Sequence, residues 1–207
     1  MSNPSVLVFD IGNVLLKWEP YRLYSRYFES EDAMNRFFDE VDFYGWNLKQ
    51  DAGRSFSKGV EELVSRFPHW ETEIKAYDLH WDESIPGAIE GSAAILEQLH
   101  AHEYPLYALS NWSAEKFPLM KDRYSFLDCF DDAVLSGSVG VNKPDPAIYE
   151  ILLDRLERRA EECLFIDDSK ANIEAADQLG FHTHLFVDAH GLRERLVELG
   201  FELGKSE

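Results

Sequence analysis

The chain has 207 residues, enough for one large domain or for a core carrying a smaller insertion. Hydrophobic residues make up 45% of it, too many for a disordered chain, and 39 acidic against 20 basic residues give a formal charge of −19. That charge makes nucleic acid and anionic membranes poor partners, and it obliges any site for an anionic substrate to supply its own local cations.

In chain order, the first apolar run, Ser5 to Phe9, reads as a buried strand ending at Asp10. The stretch from Met1 to Val8 is too short for a signal peptide, and no run reaches the ~18 apolar residues a membrane span needs. Residues 18–85 break the strand rhythm. They are rich in aromatics and read as helical, for example over Glu31 to Val41 and Ser57 to Phe67. Trp18, Trp46, Trp70 and Trp81, with Phe43 and Tyr44, suit either the interior of this insertion or the wall of a pocket. Pro86-Gly87 marks the exit.

Beyond it, strands and helices alternate. Ala88 to His102 carries Ile89, Ala93, Leu96 and Leu99 on one face. Strands follow at Leu106 to Leu109, Ala133 to Leu135, Cys163 to Ile166 and His184 to Val187, the last ending at Asp188. Helical patterns lie between them, at Ala147 to Arg158 and at Ala171 to Leu179, the second stopped by Gly180. The tail after Gly200 reads as a frayed end. The alternation predicts an α/β fold: a doubly wound parallel sheet, residues 1–17 and 86–207, with a small helical cap of residues 18–85 inserted after the first strand.

Open α/β sheets bind ligands at the carboxyl ends of their strands. Asp10, Ser110 and the pair Asp167-Asp168 stand at such ends, and Lys143 lies in the loop after the third strand. A carboxylate nucleophile, a hydroxyl, an ammonium and an acidic pair can transfer an anionic group. Each has a plainer reading. Asp10 can cap a turn, Asp167 or Asp168 can cap the next helix, and Ser110, Asn111 and Lys143 are ordinary loop residues. Tyr149 reads as helix surface or core. His182 and His184 alternate like a metal pair but have no further ligand at suitable spacing, so a half-buried strand explains them better. Cys129 and Cys163 sit in apolar settings and read as buried free thiols, which suits a cytoplasmic protein.

Four segments in order resemble the motifs of the haloacid dehalogenase superfamily: Phe9 to Leu15, Leu109 to Asn111, Asn142 to Tyr149 and Phe165 to Ala176. The opening from Asp10 to Val14 is similar to that of its sugar-phosphate phosphatases of the glucose-1-phosphatase type. The resemblance implies a Rossmann-like core and a Mg²⁺-dependent phosphatase. Asp10 would be the nucleophile that forms an aspartyl-phosphate. Asp10, the Gly12 carbonyl and Asp168 would hold Mg²⁺, with Asp167 a water-mediated or supporting ligand. Ser110 and Asn111 would bind the phosphate, and Lys143 would neutralise nucleophile and substrate. The partner implied is a small phosphorylated molecule, met by a monomer or homodimer.

One departure matters. Phosphatases of this superfamily usually carry a second Asp two residues after the nucleophile, as general acid and base. This chain has Gly12 there. The leaving group can be one that needs little protonation, or the cap can supply an acid, for which Glu19 and Asp42 are available. The alternatives are a 2-haloacid dehalogenase, which needs neither proton nor metal, or a member that binds without turnover. The acidic pair Asp167-Asp168 and the lack of arginine over residues 37–53 favour the phosphatase.

Overall fold

A computed structural model of the protein describes residues 3–204. Five parallel strands form one sheet: β1 (Val6–Phe9), β2 (Leu106–Ser110), β3 (Asp132–Leu135), β4 (Cys163–Asp167) and β5 (His182–Leu185), in the spatial order β3-β2-β1-β4-β5. β1 is central, pairing Leu7 with Leu106 on one side and with Leu164 on the other. Its side chains alternate between two apolar clusters. Leu7 and Phe9 enter one, and Val6 and Val8 enter the other. Burial on both faces is why these strands read as unbroken apolar runs. Chain order runs outward through β2 and β3, then returns to β4 beside β1, so the direction reverses around the end of β1.

No strand interrupts the stretch from β1 to Pro86; five α-helices lie there: α1 (Pro20–Tyr24), α2 (Glu31–Val41), α3 (Phe43–Asp51), α4 (Phe56–Arg66) and α5 (Glu71–Leu79). Ser30 caps α2 and Ser55 caps α4, each side chain accepting from a backbone N–H of the first turn. These helices pack an aromatic interior: the Phe38 and Phe43 rings stack with centroids 4.3 Å apart, and Tyr24 meets Phe43 edge-on at 5.7 Å.

α6 (Glu90–Ala101) leads into β2; α7 (Phe117–Arg123) precedes β3, and α8 (Ser136–Val139) and α9 (Pro146–Leu156) follow it. α9 starts on the Asp145 cap with Pro146 in the first turn, which fixes the end of the loop carrying Lys143. α10 (Lys170–Gln178) joins β4 to β5, and α11 (Ala189–Glu198) closes the order.

Two expectations are corrected. The last strand is His182–Leu185, two residues earlier than predicted, and Val187 is 81% exposed. Asp188 is accordingly no strand-end residue but the cap of α11, accepting from Gly191 N–H. Nor are residues 201–204 frayed: Phe201 is buried against Tyr104, and Arg193 donates to the Gly204 carbonyl at 2.8 Å. The rest of the expected tail lies outside the described residues. Cys129 and Cys163 are free, the first half-buried and the second buried. No helix among the described residues is long and apolar enough to cross a membrane.

Candidate active site

Asp10 follows β1 directly, and its N–H still donates to the Ile166 carbonyl of β4 at 2.8 Å. Ser110 is the last residue of β2, one strand away, and its hydroxyl donates to Asp10 Oδ1 at 2.6 Å. Ile11 N–H donates to the same oxygen at 2.7 Å. Lys143 Nζ lies 3.1 Å from it, and donates to Asp167 Oδ2 and to the Leu109 carbonyl, each at 2.7 Å. An ammonium has three protons, and these three oxygens account for all of them. Oδ1 of Asp10 is thus held from three sides, while Oδ2 carries none of these bonds.

Asp167 is fully buried and accepts from Ser169 N–H, from the Asn172 amide and from Lys143. Asp168, next in sequence, is exposed at the cavity. Asn111 makes a reciprocal pair with Lys143: its amide donates to the Lys143 carbonyl at 2.9 Å, and its Oδ1 accepts from Lys143 N–H at 2.7 Å. Its carboxamide therefore positions the lysine loop, and the residue also lines the cavity.

Asp10, Asp167 and Asp168 each offer a carboxylate oxygen within 4.8 Å of the others. Three carboxylates face one ammonium, and the protonation equilibria show the strain. Burial pushes Asp10 up to about 7; Lys143 opposes this, Asp167 and Asp168 reinforce it, and the Ser110 hydrogen bond works against it. Burial and then Asp167 likewise raise Asp168. Burial disfavours the Lys143 ammonium, but Asp10 and Asp167 outweigh it and its pKa rises. A second cation would relieve this crowding. Hard oxygen donors at this spacing suit Mg²⁺, with Asp10, Asp168 and the Gly12 carbonyl as the groups available to hold it.

These groups open into a cavity of about 480 Å³. Its far wall comes from the segment between β1 and Pro86 and is aromatic: Trp18, Tyr44, Tyr77 and Trp81, joined by Trp112 from the loop after β2. Trp46 and Phe43, by contrast, pack inward, the Trp46 indole donating to the Gly59 carbonyl at 2.9 Å. Tyr149 is fully buried and donates to the Asn172 carbonyl at 3.0 Å, so it is a core residue that braces Asp167 through Asn172.

Neither acid expected from the insertion faces the cavity. Glu19 is exposed and Asp42 lines a separate hollow with Trp46, Lys49 and Arg54. The carboxyl group from the inserted helices that does line it is Asp51, at the end of α3. Sequence reasoning missed Asp51 and Asn47. A helix whose last two turns hold Asn47, Gln50 and Asp51 gives no periodic apolar stripe from which an inward polar face can be inferred.

The haloacid dehalogenase-like hydrolase family model matches residues 4–180. The chain belongs to the haloacid dehalogenase-like hydrolases. It is 30% identical over 176 residues to the sesquiterpene phosphatase astK of Aspergillus oryzae, covering 84% of this chain and 85% of that one. A haloacid-dehalogenase-family enzyme of Bacteroides thetaiotaomicron superposes with a TM-score of 0.75 at 20% identity, over 90% of this chain and 95% of that one. That enzyme has also been solved with magnesium and inorganic phosphate (TM-score 0.72, 21% identity, 89% and 95% coverage). The L-2-haloacid dehalogenase of Xanthobacter autotrophicus, with chloropropionic acid covalently bound, superposes at 0.64 with 17% identity, over 96% and 84% of the two chains. These structural likenesses establish the fold; the family match makes the chain a hydrolase.

Proposed function

We propose that this hydrolase is a Mg²⁺-dependent phosphatase that cleaves a small phosphomonoester through an aspartyl-phosphate on Asp10. The observation that carries the reading is the strand-end cluster, in which Lys143 bridges Asp10 and Asp167 while Asp168 adds a third carboxylate. Ser110 and Lys143 hold Oδ1 of Asp10 so that the carboxylate needs no reorganisation before attack on phosphorus. Lys143 offsets the negative charge of nucleophile and phosphate. Asp167, saturated by four contacts in the interior, supports the lysine, and Asp168 with the Gly12 carbonyl completes the oxygen set around Asp10. Mg²⁺ bound there would neutralise charge shared by the phosphate and the carboxylates.

Residues 18–85 act as the cap in this reading, over a core of residues 1–17 and 86–207. The cap face is aromatic and offers few polar groups, which suits an apolar or flat organic portion better than a polyhydroxylated sugar. The similarity to a sesquiterpene phosphatase points the same way. A dehalogenase is disfavoured because, among the described residues, Lys143 is the only cationic one in the cavity lining, and Arg54 is engaged elsewhere by Gln50, Glu62 and the Trp46 carbonyl.

The test is release of inorganic phosphate from prenyl, aryl and hexose phosphates, with Mg²⁺ and with chelator, alongside halide release from 2-haloacids. Phosphate release that stops with chelator, fastest on the apolar esters, is expected. Halide release that persists in chelator would replace this reading with dehalogenation.

A further inference from the structure

Among the described residues the cavity lining carries three carboxyl groups, and two of them, Asp10 and Asp168, belong to the strand ends. The third, Asp51, comes from α3 and has no part in the chemistry described so far. It is held in place at several points. Asn47, one turn earlier, donates from its amide to Asp51 Oδ2 at 2.8 Å, and the Tyr77 hydroxyl donates to Asn47 Oδ1 at 2.9 Å. The end of α3 is also tied to the core: the Ser136 hydroxyl accepts from Trp112 N–H at 2.9 Å and donates to the Asp51 carbonyl at 2.5 Å. Asn142, beside Lys143, donates to the Leu48 carbonyl at 2.8 Å. The same short loops that carry the strand-end groups therefore fix where Asp51 stands.

The strand-end side offers no carboxyl group at position 12. Position 12 is glycine, and a Cβ built there meets nothing within 4 Å, so the space an acid would fill beside Asp10 is open. Lys143 has all three protons engaged.

We propose that Asp51 is the general acid and base of this enzyme, doing from the cap the work that a carboxyl group at position 12 cannot do here. The assignment rests on the phosphatase reading above. In the first step an Asp10 oxygen bonds to phosphorus as the bond from phosphorus to the leaving oxygen breaks. The electron pair stays on that oxygen, which takes the proton of the Asp51 carboxyl. In the second step a water oxygen attacks phosphorus, its proton passes to the Asp51 carboxylate, and the bond from phosphorus to Asp10 breaks. Phosphate leaves and both carboxyl groups return to their starting states.

The protonation state agrees with this role. Burial holds the Asp51 carboxyl at about 8; the Ser113 N–H opposes the rise and the Asp10 charge adds to it. The other titratable groups around the cavity are Lys143, Asp168, Tyr44 and Tyr77, and the two tyrosines stay neutral in the working range, burial raising both. A carboxyl group that keeps its proton near neutral pH can donate it.

The experiment compares native protein, Asp51→Asn and Asn47→Leu on a primary alkyl phosphate and on p-nitrophenyl phosphate, with Mg²⁺, in steady state and in rapid mixing. Asp51→Asn is expected to lose roughly 10²–10⁴-fold in kcat/KM on the alkyl ester. It should lose far less in the first turnover of the aryl ester, whose leaving group needs no proton. It should also show a burst of p-nitrophenol followed by slow turnover, because water attack has lost its base. Adding Gly12→Asp to Asp51→Asn should recover part of the alkyl activity. Asn47→Leu keeps the acid but frees it, and should lose more on the alkyl than on the aryl ester; it decides the matter if Asp51→Asn does not fold. Equal losses on both esters without a burst, or no loss, overturn the assignment of Asp51 while leaving the phosphatase reading intact. No phosphate release from native protein on any ester overturns that reading and the assignment with it.

Discussion

At the strand ends, Lys143 touches three oxygens and Asp167, itself fully buried, accepts from a backbone N–H, an amide and an ammonium. Across the same cavity, the wall from the inserted helices has broad aromatic faces and a single carboxyl group, and Tyr44 within it is 46% exposed. The first wall is a charge cluster in which removing Lys143 leaves both Asp10 and Asp167 unpaired. The second sets the more open rings of Trp18 and Tyr44 on the buried ones of Tyr77 and Trp81, with no charge network behind them among the described residues. The contrast separates the two tasks of an enzyme: fixed charges placed in advance lower the barrier, whereas adaptable apolar area selects what is bound. Substitutions in the two walls should therefore fail in different ways.

The largest effect is expected at Asp10. Asp10→Asn leaves an amide that cannot form an acyl-phosphate, and turnover should fall by roughly 10⁴-fold or more with the fold retained. Activity near the native level, measured as phosphate release with circular dichroism as the check on folding, would mean that the strand-end wall is structural only.

Lys143→Met should damage both activity and stability. Removing one partner of a buried charge network leaves Asp10 and Asp167 uncompensated, at a cost of about 3–5 kcal/mol. Chemical denaturation is expected to show that loss, together with turnover too slow to assign. A variant as stable as the native protein would show that the two carboxylates are already neutralised in some other way.

Tyr44→Ala should behave differently. Its ring is partly exposed and meets Trp18, Phe38 and Phe43 edge-on at 6.0, 5.9 and 5.4 Å, so truncation costs the fold less than loss of a fully buried ring. Loss of apolar contact area should raise KM for apolar phosphate esters by roughly tenfold, about 1.4 kcal/mol, with kcat nearly unchanged. A fall in kcat with KM unaltered would break the contrast between the walls.

The two walls also differed in how far the sequence revealed them. The strand-end residues are legible because a strand buried on both faces is a short apolar run, and the polar residue that ends it stands out, as at Asp10, Ser110 and Asp167. The edge strand reads two residues late for the converse reason. His182 to His184 is only half-buried and reads as polar, whereas Phe186 and Val187 have strand-like side chains but lie outside the sheet. The helical wall resisted reading because α3 is engaged on more than one side. Phe43, Trp46 and Gln50 are buried, while Asn47 and Asp51 line the cavity. Which side of such a helix meets a ligand is decided by tertiary contacts from Ser136 and Asn142, more than 80 residues away, that leave no periodic trace. Glu19 and Asp42 looked equally available in sequence; the left-handed backbone of Asp42, at the junction of α2 and α3, puts it in another hollow.

The smallest effect lies outside both walls and separates acid sensitivity of the fold from the pH response of the site. His184 in β5 is half-buried, and its Nε2 is buried without a hydrogen-bond partner. Burial lowers its pKa below the ordinary value of 6.5; Arg195 acts in the same direction, and Asp188 and Glu198 oppose it. The folded protein therefore holds this imidazole neutral to lower pH than the unfolded chain does. Between the two pKa values the unfolded state binds more protons, so stability rises with pH. The contribution of His184 is fully present above about 6.5 and declines as the pH falls below it. His184→Leu removes the titrating group and should flatten that part of the curve. The measurement is the urea midpoint of native and variant proteins at pH 8 and at pH 5.5. The native protein is expected to lose more between the two than the variant, while the pH dependence of phosphate release stays the same in both. Identical losses would place the acid sensitivity elsewhere in this acidic chain. A changed activity profile would mean that β5, one strand beyond Asp167, is coupled to the strand-end wall more closely than its half-buried edge position implies.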